Sequence, residues 1–161
     1  MIIGIANDHH GIDVKGKIIN YFDEKKISYI NYGADYKDNV DYVDYALKLC
    51  EEINLGNVDL GILICGTGIG MSIVANKIDG IICAKVSDVR EAKLAREHNG
   101  ANVIAIGESI DDPVSIVESF INSSLSNEDR HIRRREKIVR IEESNWSSSF
   151  FWIFLYFVNK I

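Results

Sequence analysis

The chain has one proline, Pro113, in 161 residues. That excludes the proline-rich linkers that would separate folded modules. It holds three cysteines, Cys50, Cys65 and Cys83, with no C-x-x-C pair and an odd count. A disulfide framework is therefore a poor reading and a reducing, cytoplasmic setting the better one. Basic charge is also short: 18 Lys and Arg face 24 Asp and Glu, a net charge of −6. Nothing in that balance neutralises a nucleic-acid backbone, so general nucleic-acid binding is excluded. The first residues, MIIGIANDHHG, lack the basic region of a signal peptide. The longest apolar run is the nine residues Phe150–Val158, far short of the ~20 that span a bilayer. Membrane crossing is not expected.

What is present reads as alternating short apolar runs and longer amphipathic stretches. Strands are predicted over Ile2–Ala6, Ser28–Tyr32, Leu60–Cys65, Gly80–Val86 and Asn102–Ile106. Helices are predicted over Val14–Lys25, Val40–Asn54, Ile69–Lys77, Val89–His98 and Val114–Ser123. Such alternation implies right-handed crossovers and an α/β fold with a mostly parallel five-stranded sheet. The first, third and fourth strands read as apolar on both faces, as strands covered on both sides should. Ligands in these sheets lie beyond the carboxyl ends of the strands. That rule selects Asn7–Gly11, Cys65–Ser72, Val86–Glu91 and Gly107–Ile110.

Two of these segments are chemically rich. CGTGIGMS, residues 65–72, sets three glycines at the start of a helix. It does not fit the dinucleotide fingerprint, because the third glycine position falls on Met71 or Ile73, and it lacks the Lys-Ser/Thr of a P-loop. It does offer backbone N–H groups of Gly66, Gly68, Ile69 and Gly70 to an anion or a developing oxyanion. Cys65 stands at its edge, near the positive end of a helix dipole, where a thiol can serve as base or nucleophile. NDHHG, residues 7–11, brings Asp8, His9 and His10 to the same predicted edge, with Asp8 also suited to capping the next helix. A metal held by His9, His10 and Cys65 lacks paired ligand spacing and is disfavoured. His98 closes the fourth predicted helix. Near the C-terminus, NEDRHIRRREKIVRIEE, residues 127–143, is the one basic stretch in an acidic chain. A solvated terminal helix is its plainest reading. The aromatic stretch that follows fits a subunit contact, a membrane-surface contact or an aggregation-prone appendage equally well.

Together DHHG (8–11), DYVDYA (41–46), GILICGTGIGMSIVANK (61–77), AKLAREHNGANVIAIG (92–107) and RHIRRREKI (130–138) resemble the type B ribose-5-phosphate isomerases, a family that includes galactose-6-phosphate isomerase subunits. The resemblance covers residues 1 to about 143, leaving 144–161 as an atypical aromatic-rich tail. It implies a Rossmann-like three-layer αβα sandwich whose C-terminal helix extends to a partner subunit. It implies aldose–ketose isomerisation of a phosphorylated sugar through a cis-enediolate, with neither metal nor other cofactor. Cys65 then acts as base, His98 opens the sugar ring with help from Thr67, and Asp8, His9 and Asn99 contact hydroxyls. Arg130 and Arg134, four residues apart on one helix face, hold the phosphate. They do so in a neighbouring subunit's site, which implies a homodimer or a dimer of dimers with shared active sites.

The sequence departs from the family's pattern in places. Where the family often has arginine after the fifth strand, Glu108 and Ser109 follow Gly107. Val43 replaces a proline, Gly100 an aspartate, and Arg90 an aromatic residue. Arg90 lies at the predicted ligand edge and is a candidate replacement for the missing arginine. Ribose 5-phosphate is the favoured substrate. A six-carbon sugar phosphate such as allose or galactose 6-phosphate is the alternative, and a non-catalytic sugar-phosphate-binding protein the third reading.

Overall fold

A computed structural model describes residues 1–142, so the expectations for the tail, residues 144–161, fall outside the described residues. The chain divides into two compact units, Met1–Leu125 and a second beginning at Ser126. In the first, strand β1 (Ile3–Asn7) leads to α1 (Ile12–Lys25), β2 (Tyr29–Asn31), α2 (Tyr42–Asn54) and β3 (Leu60–Cys65). Then follow α3 (Ile69–Ala75), β4 (Cys83–Lys85), α4 (Val89–Asn99), β5 (Val103–Gly107) and α5 (Pro113–Asn122). The second unit carries a helix, α6, over residues 129–142.

The sheet runs β2-β1-β3-β5-β4, and every neighbouring pair is parallel. It is thus all-parallel where the sequence suggested mostly parallel. Alternation along the strands sorts the core into two layers. Ile3, Ile5, Ile62, Ile64, Ile104 and Ile106 face Val14, Ile18 and Phe22 of α1, Ala92 of α4, and Val117 and Phe120 of α5. Ala6, Leu63, Cys65, Val103 and Ala105 face Ala46, Leu49 and Cys50 of α2 and Met71 and Ala75 of α3. The three-layer sandwich follows from these two covered faces.

The fourth strand corrects the sequence reading. Residues 80–86 look like a strand buried on both faces, yet β4 is three residues long and runs from buried to exposed. It lies at the sheet's edge, and β5 takes the interior place between β3 and β4, buried at all five positions. An edge strand has one neighbour only, so its ladder ends early. Helix α3 also ends sooner than predicted. Past its end Asn76 turns its side chain onto β4, donating to the Cys83 carbonyl (2.8 Å) and accepting from the Cys83 N–H (2.9 Å).

One buried charge fastens the loop between β2 and α2. Lys15 of α1 is 5% exposed and donates from Nζ to the Ala34 carbonyl (2.5 Å) and to Asp35 (2.8 Å). The Lys15 hydrogen bond, then that of Asn31, holds the Asp35 carboxyl below its ordinary range. Lys15→Met is expected to lower stability at neutral pH by about 1–3 kcal/mol, through the lost charged hydrogen bonds. The carboxyl's share of that difference is present above its unfolded value near 3.8 and lost as pH falls through the lower folded value. Urea midpoints of the two proteins should therefore lie closer at pH ~3 than at pH ~7. A gap that is unchanged or wider in acid would contradict the assignment.

Candidate active site

The order β2-β1-β3 places the topological switch between β1 and β3, and the cleft beyond their carboxyl ends is the expected ligand edge. Both rich segments meet there. The Asp8 N–H donates to the Ile64 carbonyl (3.1 Å), joining the turn after β1 to the end of β3. Asp8, 4% exposed, accepts from the backbone N–H of His10 (2.9 Å) and Gly11 (3.3 Å) through Oδ1. Those two N–H groups precede α1, whose N-cap Gly11 receives no side-chain hydrogen bond, so Asp8 closes its own turn instead of capping the helix as expected, and that turn fixes the carboxylate at the cleft. Asn7 beneath it donates to the carbonyls of Asp8 (2.7 Å) and Ala34 (3.1 Å). The His9 Nδ1 accepts the Val40 N–H (3.3 Å), so the neutral ring carries its proton on Nε2, a donor for a ligand hydroxyl or phosphate oxygen.

Cys65 ends β3, 4% exposed, and its Sγ accepts the Gly68 N–H at 3.2 Å. That contact fixes the sulfur at the mouth of the loop. The other two cysteines lie in different surroundings. Burial pushes the Cys50 thiol up to about 12 and raises that of Cys83 as well, so neither is a usable base near neutral pH.

Gly68 makes the turn into α3 at φ 78°, in the left-handed region that favours glycine. A Cβ there would lie 2.9 Å from the Ile106 carbonyl carbon, so the loop rests directly on β5 backbone. Thr67 is exposed and accepts the Ile69 N–H at 3.2 Å. Gly70 lies under the ring of Tyr42, where a Cβ would come within 2.8 Å of the aromatic carbons. Tyr42 is thus a wall of the loop that sequence reasoning did not single out. Its signal was faint: a tyrosine in DYVDYA, a segment used only for its likeness to the family.

His98 and Asn99 are not brought to this edge within one chain. Helix α4 starts beyond the carboxyl end of β4 and runs back, so its last residues lie beside the amino ends of the strands. Arg96, two residues before His98, shares a cavity with Met1, Asp59 and Leu60 at that opposite edge. Eleven helical residues span about 16 Å. Arg90, in the first turn of α4, is on the ligand edge and exposed, but β4 is two strand spacings from β3, about 10 Å.

In the second unit Arg130 and Arg134 are both exposed on α6, and Arg130 Nε pairs with Glu128 at 2.8 Å. Ser109 is exposed after β5, and Glu108 beside it pairs with His10, Nδ1 to Oε2 at 3.2 Å. Among the described residues no group of three or more His, Cys, Asp and Glu converges as a metal site. His9 and His10 are instead turned to Val40 and Glu108. No helix among the described residues is long and apolar enough to cross a membrane.

A parallel α/β sheet with a carboxylate, a histidine and a cysteine gathered round a loop of backbone donors defines a small-molecule site built for an anion or an oxyanion. The chain belongs to the Ribose/Galactose Isomerase family, which matches residues 3–138. It is 44% identical over 149 residues to YwlF of Bacillus subtilis, a protein provisionally named a sugar phosphate isomerase, covering 90% of this chain and 99% of that one. It is 35% identical to ribose-5-phosphate isomerase B of Escherichia coli, covering 88% and 96%. The solved structure of ribose-5-phosphate isomerase B from Clostridium thermocellum superposes with a TM-score of 0.85 at 38% identity, covering 90% and 99%. The fold and the sugar-phosphate isomerase class are thereby established.

Proposed function

We propose that the protein interconverts ribose 5-phosphate and ribulose 5-phosphate through a cis-enediolate. The observation that carries this reading is the Cys65 sulfur at the mouth of the glycine loop, with the Gly68 N–H directed onto it. A base at that point takes the proton from C2 of the open aldose and returns it at C1. Negative charge develops meanwhile on the carbonyl oxygen, and the loop's N–H groups are the donors for it: those of Gly66 and Gly70 directly, those of Gly68 and Ile69 by leaving Cys65 Sγ and Thr67 Oγ1. Asp8 and His9 contact sugar hydroxyls from the turn after β1. No metal or other cofactor is needed for this proton shuttle.

His98 serves in ring opening, with Thr67 assisting, and Asn99 binds a hydroxyl. Because α4 carries His98 and Asn99 to the far edge of their own sheet, a partner subunit supplies them to each site. Arg130 and Arg134, one turn apart on α6, hold the phosphate from the partner as well. The working unit is a homodimer, or a dimer of dimers, with shared active sites. A solved relative from Mycoplasma genitalium, 36% identical with a TM-score of 0.82, is a ribose-5-phosphate isomerase B with bound ribulose 5-phosphate. That likeness supports the five-carbon choice.

The test is turnover of purified protein on ribose 5-phosphate, allose 6-phosphate and galactose 6-phosphate. Highest kcat/KM on ribose 5-phosphate is expected. Turnover confined to a six-carbon substrate would replace the sugar while keeping the chemistry. Tight binding without turnover, unaltered by Cys65→Ala, would make the protein a sugar-phosphate binder instead.

A further inference from the structure

We propose that the His10–Glu108 pair is a gate over the glycine loop that sets the length of sugar phosphate the site accepts. The proposal rests on the sugar-phosphate reading above. In the sheet β1 and β5 are not neighbours but flank β3 on either side. His10 follows β1 and Glu108 follows β5, yet their side chains meet at 3.2 Å. The pair therefore arches over the carboxyl end of β3, where Cys65 and the loop begin. Gly66 lies beneath it: a Cβ there would stand 3.7 Å from His10 Cγ and 3.8 Å from Glu108 Oε1.

Both ends of the arch are fixed by backbone. The Glu108 N–H donates to the carbonyls of Cys65 (3.0 Å) and Gly66 (3.3 Å). The His10 N–H donates to Asp8 (2.9 Å), and the His10 ring rests on that of His9 with centroids 4.3 Å apart. The anchor points of the arch are thus set by the fold, and the two side chains make the span between them. The pairing itself is weak, because the side chains are 49% and 44% exposed and water screens them. A weak span on fixed anchors limits what lies under it without sealing the site. Substrates differing by one hydroxymethylene unit differ most where such a span limits length, and in a fitted pocket one methylene is worth about 10–200-fold.

The experiment compares wild type with His10→Gly, Glu108→Ala and Glu108→Gln, using ribose 5-phosphate and allose 6-phosphate. Calorimetry gives the Kd of each sugar and a coupled assay gives kcat/KM. His10→Gly and Glu108→Ala break the arch and should each shift the six-carbon to five-carbon ratio by about tenfold towards the longer sugar. Glu108→Gln keeps an oxygen within reach of His10 and should shift it by less than about twofold. Unchanged ratios in both arch-breaking variants would overturn the gate. So would a glutamine variant that moves as far as the alanine, since charge and not span would then be the cause. Wild-type binding without turnover would defeat the isomerase reading alone, because the Kd ratios still judge the gate. Failure to bind either sugar would defeat both.

Discussion

Cys65→Ala is expected to lower kcat about 10²–10⁴-fold, the usual contribution of a positioned base, while KM moves far less. The sulfur is already held for the task, 4% exposed at the end of a fully buried strand and facing the Gly68 N–H at 3.2 Å. Its removal leaves the loop's N–H groups and the Asp8 and His9 contacts in place, so the substrate should still bind. Cys65→Ser keeps an acceptor for the Gly68 N–H but supplies a hydroxyl in place of a thiol, and it should be nearly as impaired. Turnover in deuterated water adds a second readout: label entering the product at the carbon that receives the proton should vanish with the base. If Cys65→Ala retained activity within about tenfold of wild type, the base would have to be sought elsewhere on this edge.

Gly68→Ala carries the other large effect. Residue 68 sits at φ 78°, which costs an L-residue about 1–2 kcal/mol. Its Cβ would also meet the Ile106 carbonyl carbon at 2.9 Å and the Ile106 N and O at 3.1 Å. Those atoms are backbone of the interior strand β5 and cannot turn aside as a flexible side chain would. Overpacking of that kind adds about 1–3 kcal/mol. The variant is therefore expected to unfold at a clearly lower temperature and to lose activity beyond its loss of stability, since the N–H on Cys65 is that of residue 68. Gly56→Ala is the control, because its φ of 76° gives the same backbone strain with nothing within 4 Å of the new Cβ. If both variants lost equal stability, contact with β5 would not matter.

Much of this architecture can be read from the chain. LGILIC followed by GTGIG announces a buried strand and a donor-lined turn, because only a strand covered on both faces stays apolar for six residues. Asp8 and His9 follow from the rule that ligands gather at carboxyl ends of strands. Strand order is less legible. Residues 80–86 are as apolar as a central strand, yet much of that burial belongs to Ile81 and Val86, which lie outside β4. The same limit hid the separation of His98 from Cys65. A motif names residue types, but which end of a helix faces the ligand edge depends on crossover geometry. Tyr42 and the His10–Glu108 contact were missed for a related reason, since each is a meeting of segments far apart in sequence.

The place of β5 between β3 and β4 has a consequence for how the molecule comes into being. Its neighbours β3 and β4 are synthesised first, and neither touches the other in the finished sheet. A chain emerging from the ribosome thus carries two unpaired strand edges until residue 107 is available. Exposed edges of that kind invite pairing with other chains. The last strand to arrive fills the gap, and its Ile106 backbone becomes the support on which the Gly68 turn rests. The glycine loop after Cys65 and the strand that steadies it are thereby completed in one event. A shortened chain ending near residue 100 would have no partial version of this site, only an open sheet.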